Sequence, residues 1–234
     1  MKEKLLEIVQ NNQTNKILPF KNIFKGEDIY VIASGKSLDF INPDFFSDKI
    51  TIGVNHVYKK VKTTFLIRKD HKILDHVIKT NNDTIHIFSK GNTGQLNDLS
   101  KKIIEKSQNK NLFYFDHNRN ERTKIVFPQP EEDKIIVSWS TITSAMHFAS
   151  YIGAKNIILV GHDCGKIDGK SNFEGYHTTE TLDQKNVHEY EEWLKNIEDQ
   201  SLQVKKFLKE RYGSEVYSLN PFINFGLEGH IYTR

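Results

Sequence analysis

Residues 28–38 combine an apolar run with a turn of small residues, a pattern that can bind phosphate. Ser34, Gly35 and Ser37 stand at the turn, just before a predicted helix. Backbone N–H groups at the start of a helix point outward and can donate to a phosphate or a nucleotide. The turn lacks both the G-x-G-x-x-G spacing of dinucleotide-binding folds and the G-x-x-x-x-G-K-[ST] sequence of a P-loop. Two interpretations therefore stay open: a nucleotide-using enzyme, and a well-capped turn with no ligand.

Polar residues also follow three later apolar runs, at residues 50–54, 63–67 and 156–161. In chain order they are Asn55 and His56, then Arg68, Lys69 and Asp70, then His162 and Asp163. Ligands of open parallel sheets bind beyond the carboxyl ends of the strands, so we expect these residues to border one site. The Asp163 carboxylate could accept ribose hydroxyls, hold a metal or orient a base, or it could satisfy loop amides with no ligand.

Residues 138–145 form a hydroxyl-rich turn that leads into a predicted helix at 143–153. The hydroxyls of Ser140 and Thr141, together with free N–H groups at the helix start, suit an anionic phosphate or carboxylate. The same residue types are also typical of an N-cap that binds no ligand. His147 lies inside the helix and is interpreted as a packed or surface histidine.

Three residues near a loop rich in glycine and lysine can exchange protons, namely Tyr176, His177 and His188. An unperturbed histidine has a pKa of about 6.5, so His177 and His188 are the candidate catalytic bases, and Asp163 is a candidate catalytic residue that could orient a base. The charged helical stretch that His188 begins also fits a solvated helix face with no catalytic role. The sequence contains no H-E-x-x-H, no cysteine pair and no EF-hand loop. We therefore predict no metal ligands, although Asp163 and Asp168 could bind Mg²⁺ through a phosphate-bearing substrate.

Strand-like runs alternate with helical patterns along most of the chain. The runs lie at 28–33, 50–54, 63–67, 84–88, 112–115, 134–137, 156–161 and 215–219, and the main helical patterns at 72–79, 96–108, 143–153 and 183–212. The alternation predicts a Rossmann-like α/β fold, with a mostly parallel sheet and helices on both faces. In this prediction residues 28–234 form the nucleotide-binding catalytic domain, and residues 1–27 form an N-terminal helical appendage.

The composition bounds the class of protein and its partners. The 33 Lys and Arg and the 30 Asp and Glu leave a net charge of +3, which is too balanced to predict nucleic acid or a membrane as the partner. The single cysteine, Cys164, excludes an internal disulfide and fits a reducing compartment. No apolar run approaches the roughly 20 residues that span a bilayer. The expected location is cytoplasmic, and both peripheral membrane association and homo-oligomerisation stay open.

Three stretches of the chain resemble one superfamily. Residues 31–38 resemble the G-x-G-P-S-L opening of bacterial sialyltransferases that act on lipooligosaccharide, of Maf-type flagellin-modifying glycosyltransferases and of MptE-like hydroxymethylpterin diphosphokinases. Gly53-Val54-Asn55 is similar to the end of that superfamily's second strand, where an Asn contacts the nucleotide. Residues 151–163 are similar to its Leu-Gly-Ala turn, following strand and G-x-D signature, and the resemblance extends over residues 28–222.

The resemblance implies a role for each matching residue. Ser34, Gly35, Ser37 and Asn55 would contact the nucleotide, Ser140 and Thr141 would contact the donor's phosphate or sugar carboxylate, and Asp163 would lie on the nucleotide side of the cleft. His162, which precedes Asp163 at the end of the same strand, is also a candidate for the nucleotide site. The sialyltransferase pattern has Asn and Pro where this chain has Ser34 and Lys36, and a catalytic Arg where it has Ser138. These departures favour the Maf-like branch.

The expected function is transfer of a sugar from a nucleotide donor to a glycan or protein acceptor, such as a bacterial surface glycan. The expected donor is a CMP-linked acidic sugar. No cofactor is required for this reaction. The alternative enzyme is a pterin diphosphokinase that uses ATP and Mg²⁺, with Asp163 or Asp168 at the metal and Trp139 or Tyr176 stacked on the pterin. The alternative without catalysis is a nucleotide-sugar-binding module.

Overall fold

The computed structural model describes residues 2–69, 83–89, 110–118, 124–129, 131–176 and 187–219. Seven strands in these ranges form one sheet: β1 (Asp28–Ile32), β2 (Ile50–Val54), β3 (Phe65–Arg68), β4 (Ile85–Ser89), β5 (Leu112–Phe115), β6 (Asn156–Val160) and β7 (Glu215–Leu219). The α-helices of the same ranges are α1 (Lys2–Gln10), α2 (Thr141–Tyr151) and α3 (Val187–Tyr212).

All neighbouring strands run parallel, in the order β5-β4-β3-β2-β1-β6-β7. The predicted Rossmann-like α/β fold is therefore confirmed, and the predicted helix near the start of the chain is present as α1. Among the described residues, no helix has the length and apolar character needed to cross a membrane.

The structure differs from the sequence prediction at one strand. Residues 134–137 are apolar enough for a strand, but in the described ranges only Lys134 forms a bridge, to Asp116 at the end of β5. These residues instead form the buried segment that leads into α2, with Ile135 and Ile136 each 1% exposed. Two predicted helices lie outside the described residues, those at 72–79 and 96–108.

Successive side chains of each strand point to opposite faces of the sheet, so the two faces carry different residues. Val31, Ile52 and Phe65 are neighbours across β1, β2 and β3 and share the face on which α2 packs. Tyr30 lies on the opposite face, where its ring contacts the short 3-10 helix Pro43–Phe46. Because both faces are covered, the central strands carry apolar residues at nearly every position rather than at every second position.

Helix α2 lies at the centre of the molecule, and all of its residues are buried. Its polar side chains therefore need partners inside the protein. His147 has two: the Ile136 N–H donates to Nδ1 at 2.9 Å, and Nε2 lies 2.8 Å from the Tyr212 hydroxyl. Since Nδ1 accepts a hydrogen bond, Nε2 carries the proton and donates to Tyr212. Of the two interpretations of His147, the packed one is correct.

The segment before β1 contributes to the same core. Phe20 is fully buried, and its ring contacts Phe65, Phe113 and Phe148 in edge-to-face geometry. The segment is also tied to the end of α2, because the Phe24 N–H donates to the Ile152 carbonyl at 2.8 Å.

We predict that Phe20→Ala lowers the free energy of unfolding by about 3–5 kcal/mol, as expected for truncation of a buried aromatic ring. Leu18→Ala is the matched control, since Leu18 is 52% exposed and its truncation should change stability by less than about 0.5 kcal/mol. Urea unfolding followed by circular dichroism measures both. Equal, small effects would mean that residues 17–24 do not pack on the core.

Candidate functional site

The strand order reverses between β1 and β6. The chain moves outward from β1 to β5 and then returns to place β6 on the other side of β1. Ligands of open α/β sheets bind in the crevice at such a reversal, beyond the carboxyl ends of the strands. The turns that follow β1, β2, β3 and β6 all lie at this edge, so the structure brings Ser34, Asn55 and Asp163 to one side of the molecule.

Two glycines allow the turns after β1 and β6 to touch. The Gly35 N–H donates to the Gly161 carbonyl at 2.6 Å, and the Ala33 N–H donates to the Val160 carbonyl at 2.7 Å. A Cβ atom on Gly35 would overlap the Gly161 carbonyl and would lie 2.5 Å from a carboxylate oxygen of Asp163. Gly161 itself has a φ of +65°, a conformation that glycine adopts without strain.

Asp163 is bound to the turn after β1. One of its carboxylate oxygens accepts from the Ser37 N–H at 2.8 Å, and the other accepts from the Ser37 hydroxyl. Burial raises the pKa of Asp163, and the hydrogen bonds from Ser37 act in the opposite direction. The Gly35 and Ser37 amides, which the sequence suggested for phosphate, thus donate to groups of the protein itself.

Four polar side chains meet beyond β1, β2 and β3, and we call Ser34, Asn55, Arg68 and Tyr176 the mouth cluster. The Tyr176 hydroxyl hydrogen-bonds with the side chains of Ser34 and Asn55, and an Arg68 N–H donates to the Asn55 carbonyl at 2.8 Å. Burial raises the pKa of Tyr176, while those hydrogen bonds and the charge of Arg68 oppose the shift. Asn55 has a φ of +53°, which Asn tolerates better than most residues.

The loop after β6 covers the mouth cluster and is fixed to it by its backbone. The Phe173 N–H donates to the Ser34 carbonyl at 3.0 Å, and the Ser34 hydroxyl donates to Asn172 at 3.0 Å. Lys59 donates to the Tyr176 carbonyl at 2.9 Å. These contacts hold Tyr176 over the ends of β1 and β2.

Asp39 is a second anchor for this loop. Its carboxylate accepts from Lys36 and Lys60 and from the Glu174 N–H. Burial alone would raise the pKa of Asp39, but the hydrogen bonds from the two lysines outweigh it, and the pKa is lowered. Sequence reasoning missed the loop contacts of Asp39, Lys59 and Asn172, because each of these contacts joins residues more than a hundred positions apart in the chain.

The two basic residues at the end of β3 point to opposite faces of the sheet. Arg68 reaches the mouth cluster, whereas the Lys69 ammonium donates to the carbonyls of Ser138 and Trp139 at 2.7 and 3.0 Å. Lys69 is only partly buried as a residue, but its ammonium is enclosed, and burial lowers the pKa of Lys69 to about 8. Both residues were named from sequence because they follow a strand, and the structure now gives them different neighbours.

Residues 138–141, which we call the α2 turn, are held by a network of hydroxyls and amides. The Ser140 hydroxyl accepts from the Ile142 N–H at 3.4 Å and caps α2, as the N-cap interpretation expects. The Thr143 hydroxyl donates to the Ser140 carbonyl at 2.8 Å and also contacts the Ser138 hydroxyl. Thr141 is the first residue of α2 and is 7% exposed.

His162 and Cys164 lie on the side of α3. His162 Nε2 is 3.3 Å from the Ser201 hydroxyl of α3 and 3.5 Å from the Cys164 sulfur. Burial lowers the pKa of His162 to about 4, so the imidazole is neutral at pH 7. Burial, with the charges of Glu198 and Asp163, raises the pKa of the Cys164 thiol to about 12. Neither group is prepared for proton transfer or nucleophilic attack near neutral pH.

The two predicted catalytic histidines are placed differently. His177 lies outside the described residues. His188 is the second residue of α3, about thirteen residues before Ser201, which corresponds to about 20 Å along the helix. Since Ser201 meets His162 at the end of β6, the backbone of His188 lies well beyond the sheet edge.

Comparison of the chain with protein-family models, with curated proteins and with solved structures finds no match. Among the described residues, no group of three or more His, Cys, Asp and Glu side chains is arranged to hold a metal ion. The features of the molecule that bear on its function are therefore the mouth cluster, the α2 turn and the reversal of strand order.

We predict that Gly35→Ala lowers the free energy of unfolding by about 1–3 kcal/mol, because the added methyl overlaps backbone that cannot easily move. Gly165→Ala is the control, since its Cβ would meet only the Asp163 carbonyl at 3.6 Å. Denaturant unfolding of both variants tests this. A Gly35→Ala protein as stable as the control would contradict the close approach of the turns.

We also predict that His147 makes the fold sensitive to acid. Burial, with a smaller contribution from Arg211, lowers the pKa of His147 to about 3 in the folded protein. The unfolded chain takes up this proton near pH 6.5, so stability is lost as the pH falls from about 6.5 towards 3, by about 2 kcal/mol at pH 5.

His147→Asn provides the comparison, because its amide oxygen can still accept from the Ile136 N–H and does not titrate. Between pH 7 and pH 5 the free energy of unfolding of the wild type should fall by about 2 kcal/mol more than that of the variant, as measured by urea unfolding. Identical losses in the two proteins would show that His147 is not responsible.

Proposed function

We propose that this protein is a glycosyltransferase with a sialyltransferase-like fold, close to the Maf type, that transfers a sugar from a nucleotide-activated donor to a glycan or protein acceptor. The observation that carries the proposal is that the mouth cluster and the α2 turn both lie at one sheet edge, where the strand order reverses. A donor of this class has a polar nucleoside next to a charged phosphate, and the edge offers a matching pair of surfaces.

The mouth cluster suits the nucleoside. Its hydroxyl and amide groups both donate and accept hydrogen bonds, as the ribose hydroxyls and base edges require. Arg68 donates to the Asn55 carbonyl and adds a positive charge to the mouth cluster. The backbone of the loop after β6 holds Tyr176 in place, so little ordering would be needed when the donor binds.

The α2 turn suits the phosphate. The Gly35 and Ser37 amides already donate to groups of the protein, so they are not available to the phosphate. The N–H groups at the start of α2 are the backbone donors that would bind it instead. This helix has eleven residues, begins at a Ser N-cap and carries a partial positive charge at that end. Ser140 and Thr141 are the side chains nearest to that end. The resemblance to sialyltransferases implies that these two residues contact the donor's phosphate or sugar carboxylate.

The proposed reaction is a direct displacement at the anomeric carbon of the donor sugar. An acceptor hydroxyl oxygen forms the new bond to this carbon while the bond from the carbon to the phosphate oxygen breaks. The acceptor proton passes to a histidine base, and the departing phosphate is stabilised at the α2 turn. Of the two candidate bases, His177 is favoured, because it follows Tyr176 directly in the chain, whereas His188 begins a helix that extends past the sheet edge.

We predict that CMP binds the wild-type protein without added metal and that Tyr176→Phe weakens this binding roughly fivefold, since one hydrogen bond contributes about 1 kcal/mol. Tyr217→Phe on β7 is the matched control, because Tyr217 is 41% exposed and removed from the mouth cluster in the sheet order. Titration calorimetry with CMP measures both variants.

The same titrations distinguish the rival functions. Binding of ATP that depends on Mg²⁺, with no binding of CMP, would contradict the proposal and favour a diphosphokinase. If CMP binds but no activated sugar donor yields product with any acceptor, the chain is a binding module rather than an enzyme.

A further inference from the structure

Lys69 is a cation in an enclosed position without an opposing charge in the described part of the chain. Its ammonium donates to the carbonyls of Ser138 and Trp139, and no described carboxylate forms an ion pair with it. An ammonium has three N–H donors, so one donor remains beyond these two carbonyls. Burial of a charge is costly unless the charge is paired, and carbonyl dipoles offset only part of that cost.

The start of α2 adds a second positive potential at the same place. The carbonyls that accept from Lys69 belong to Ser138 and Trp139, the two residues just before the Ser140 N-cap. The ammonium is therefore held next to the start of α2, where the N–H groups of the first helical turn lack partners in the helix. The partial positive charge of the helix start and the full charge of Lys69 repel each other. An anion bound between them would remove both penalties.

A buried hydroxyl at the start of α2 supports the same conclusion. Ser144 is fully buried, and within the described residues its Oγ has no hydrogen-bond partner. It lies three residues after Thr141, on the same face of α2, and side chains of a helix lean towards its N-terminus. A phosphate at the α2 turn would give this hydroxyl an acceptor.

We propose that Lys69 is a specificity-determining residue of the site: it selects ligands that carry a phosphate group at the α2 turn and contacts that phosphate with its remaining N–H. The proposal deepens the proposed function, because the phosphate is that of the activated donor. Arg68, its neighbour, does not serve this purpose, since it points to the opposite face of the sheet and binds Asn55.

The deciding probe is inorganic phosphate, titrated at constant ionic strength into wild type, Lys69→Met and Lys69→Arg, with thermal unfolding as the readout. Phosphate should stabilise the wild type, should fail to stabilise Lys69→Met and should regain at least part of its effect in Lys69→Arg. Lys62→Met is the matched control, because Lys62 is an exposed lysine just before β3, at the other end of the strand, and should respond to phosphate like the wild type. If Lys69→Met does not fold, Lys69→Gln replaces it.

Cytidine and CMP then link the residue to the proposed donor. Lys69→Met should weaken CMP binding at least tenfold and change cytidine binding less than twofold, which a merely structural role would not produce. Equal weakening of both ligands, equal stabilisation of wild type and Lys69→Met by phosphate, or no effect of phosphate on the wild type would each overturn the inference. A phosphate effect that requires Lys69 in a protein that binds no CMP would sustain the inference and reject the glycosyltransferase.

Discussion

The contact between the turns after β1 and β6 is the constraint on which the rest of the site depends. Gly35 and Gly161 meet through a backbone hydrogen bond of 2.6 Å, at a separation that leaves no room for a side chain on Gly35. This contact joins the turns after β1 and β6 at the point where the strand order reverses. It also brings Asp163 onto Ser37 and directs the following loop back over Ser34.

The close approach uses the amides of the β1 turn that an anion would otherwise accept from. Because Gly161 and Asp163 accept from the amides of the β1 turn, that turn is stabilised internally and has a carboxylate beside it, which repels a phosphate. The positive potential of the edge lies instead at the end of β3, where Arg68 and Lys69 point to opposite faces. In the proposed function, two consecutive residues of a single strand would thus recognise the nucleoside and the phosphate of one donor.

The sequence predicted the strands well, because their physical signal is local. Residues 50–54 and 112–115 are apolar throughout and became β2 and β5 without change. Residues 134–137 are just as apolar, but a strand also needs a partner along its length, and the chain there turns inward to α2 after a single bridge. The site was harder to predict, since Ser37 and Asp163 are 126 residues apart and no local pattern indicates that they pair.

The environments of the described ionisable groups narrow the search for a catalytic base. His147 and His162 are neutral at pH 7 because burial lowers their pKa to about 3 and about 4, and each is hydrogen-bonded to a residue of α3. The Cys164 thiol has a pKa raised to about 12, and Tyr176 is also shifted upward by burial. These groups hold the helices and the loop in place, and none of them gains a proton readily near neutral pH. In the proposed reaction, the base for the acceptor hydroxyl is therefore none of these four groups, and the residue that directly follows Tyr176 is a histidine.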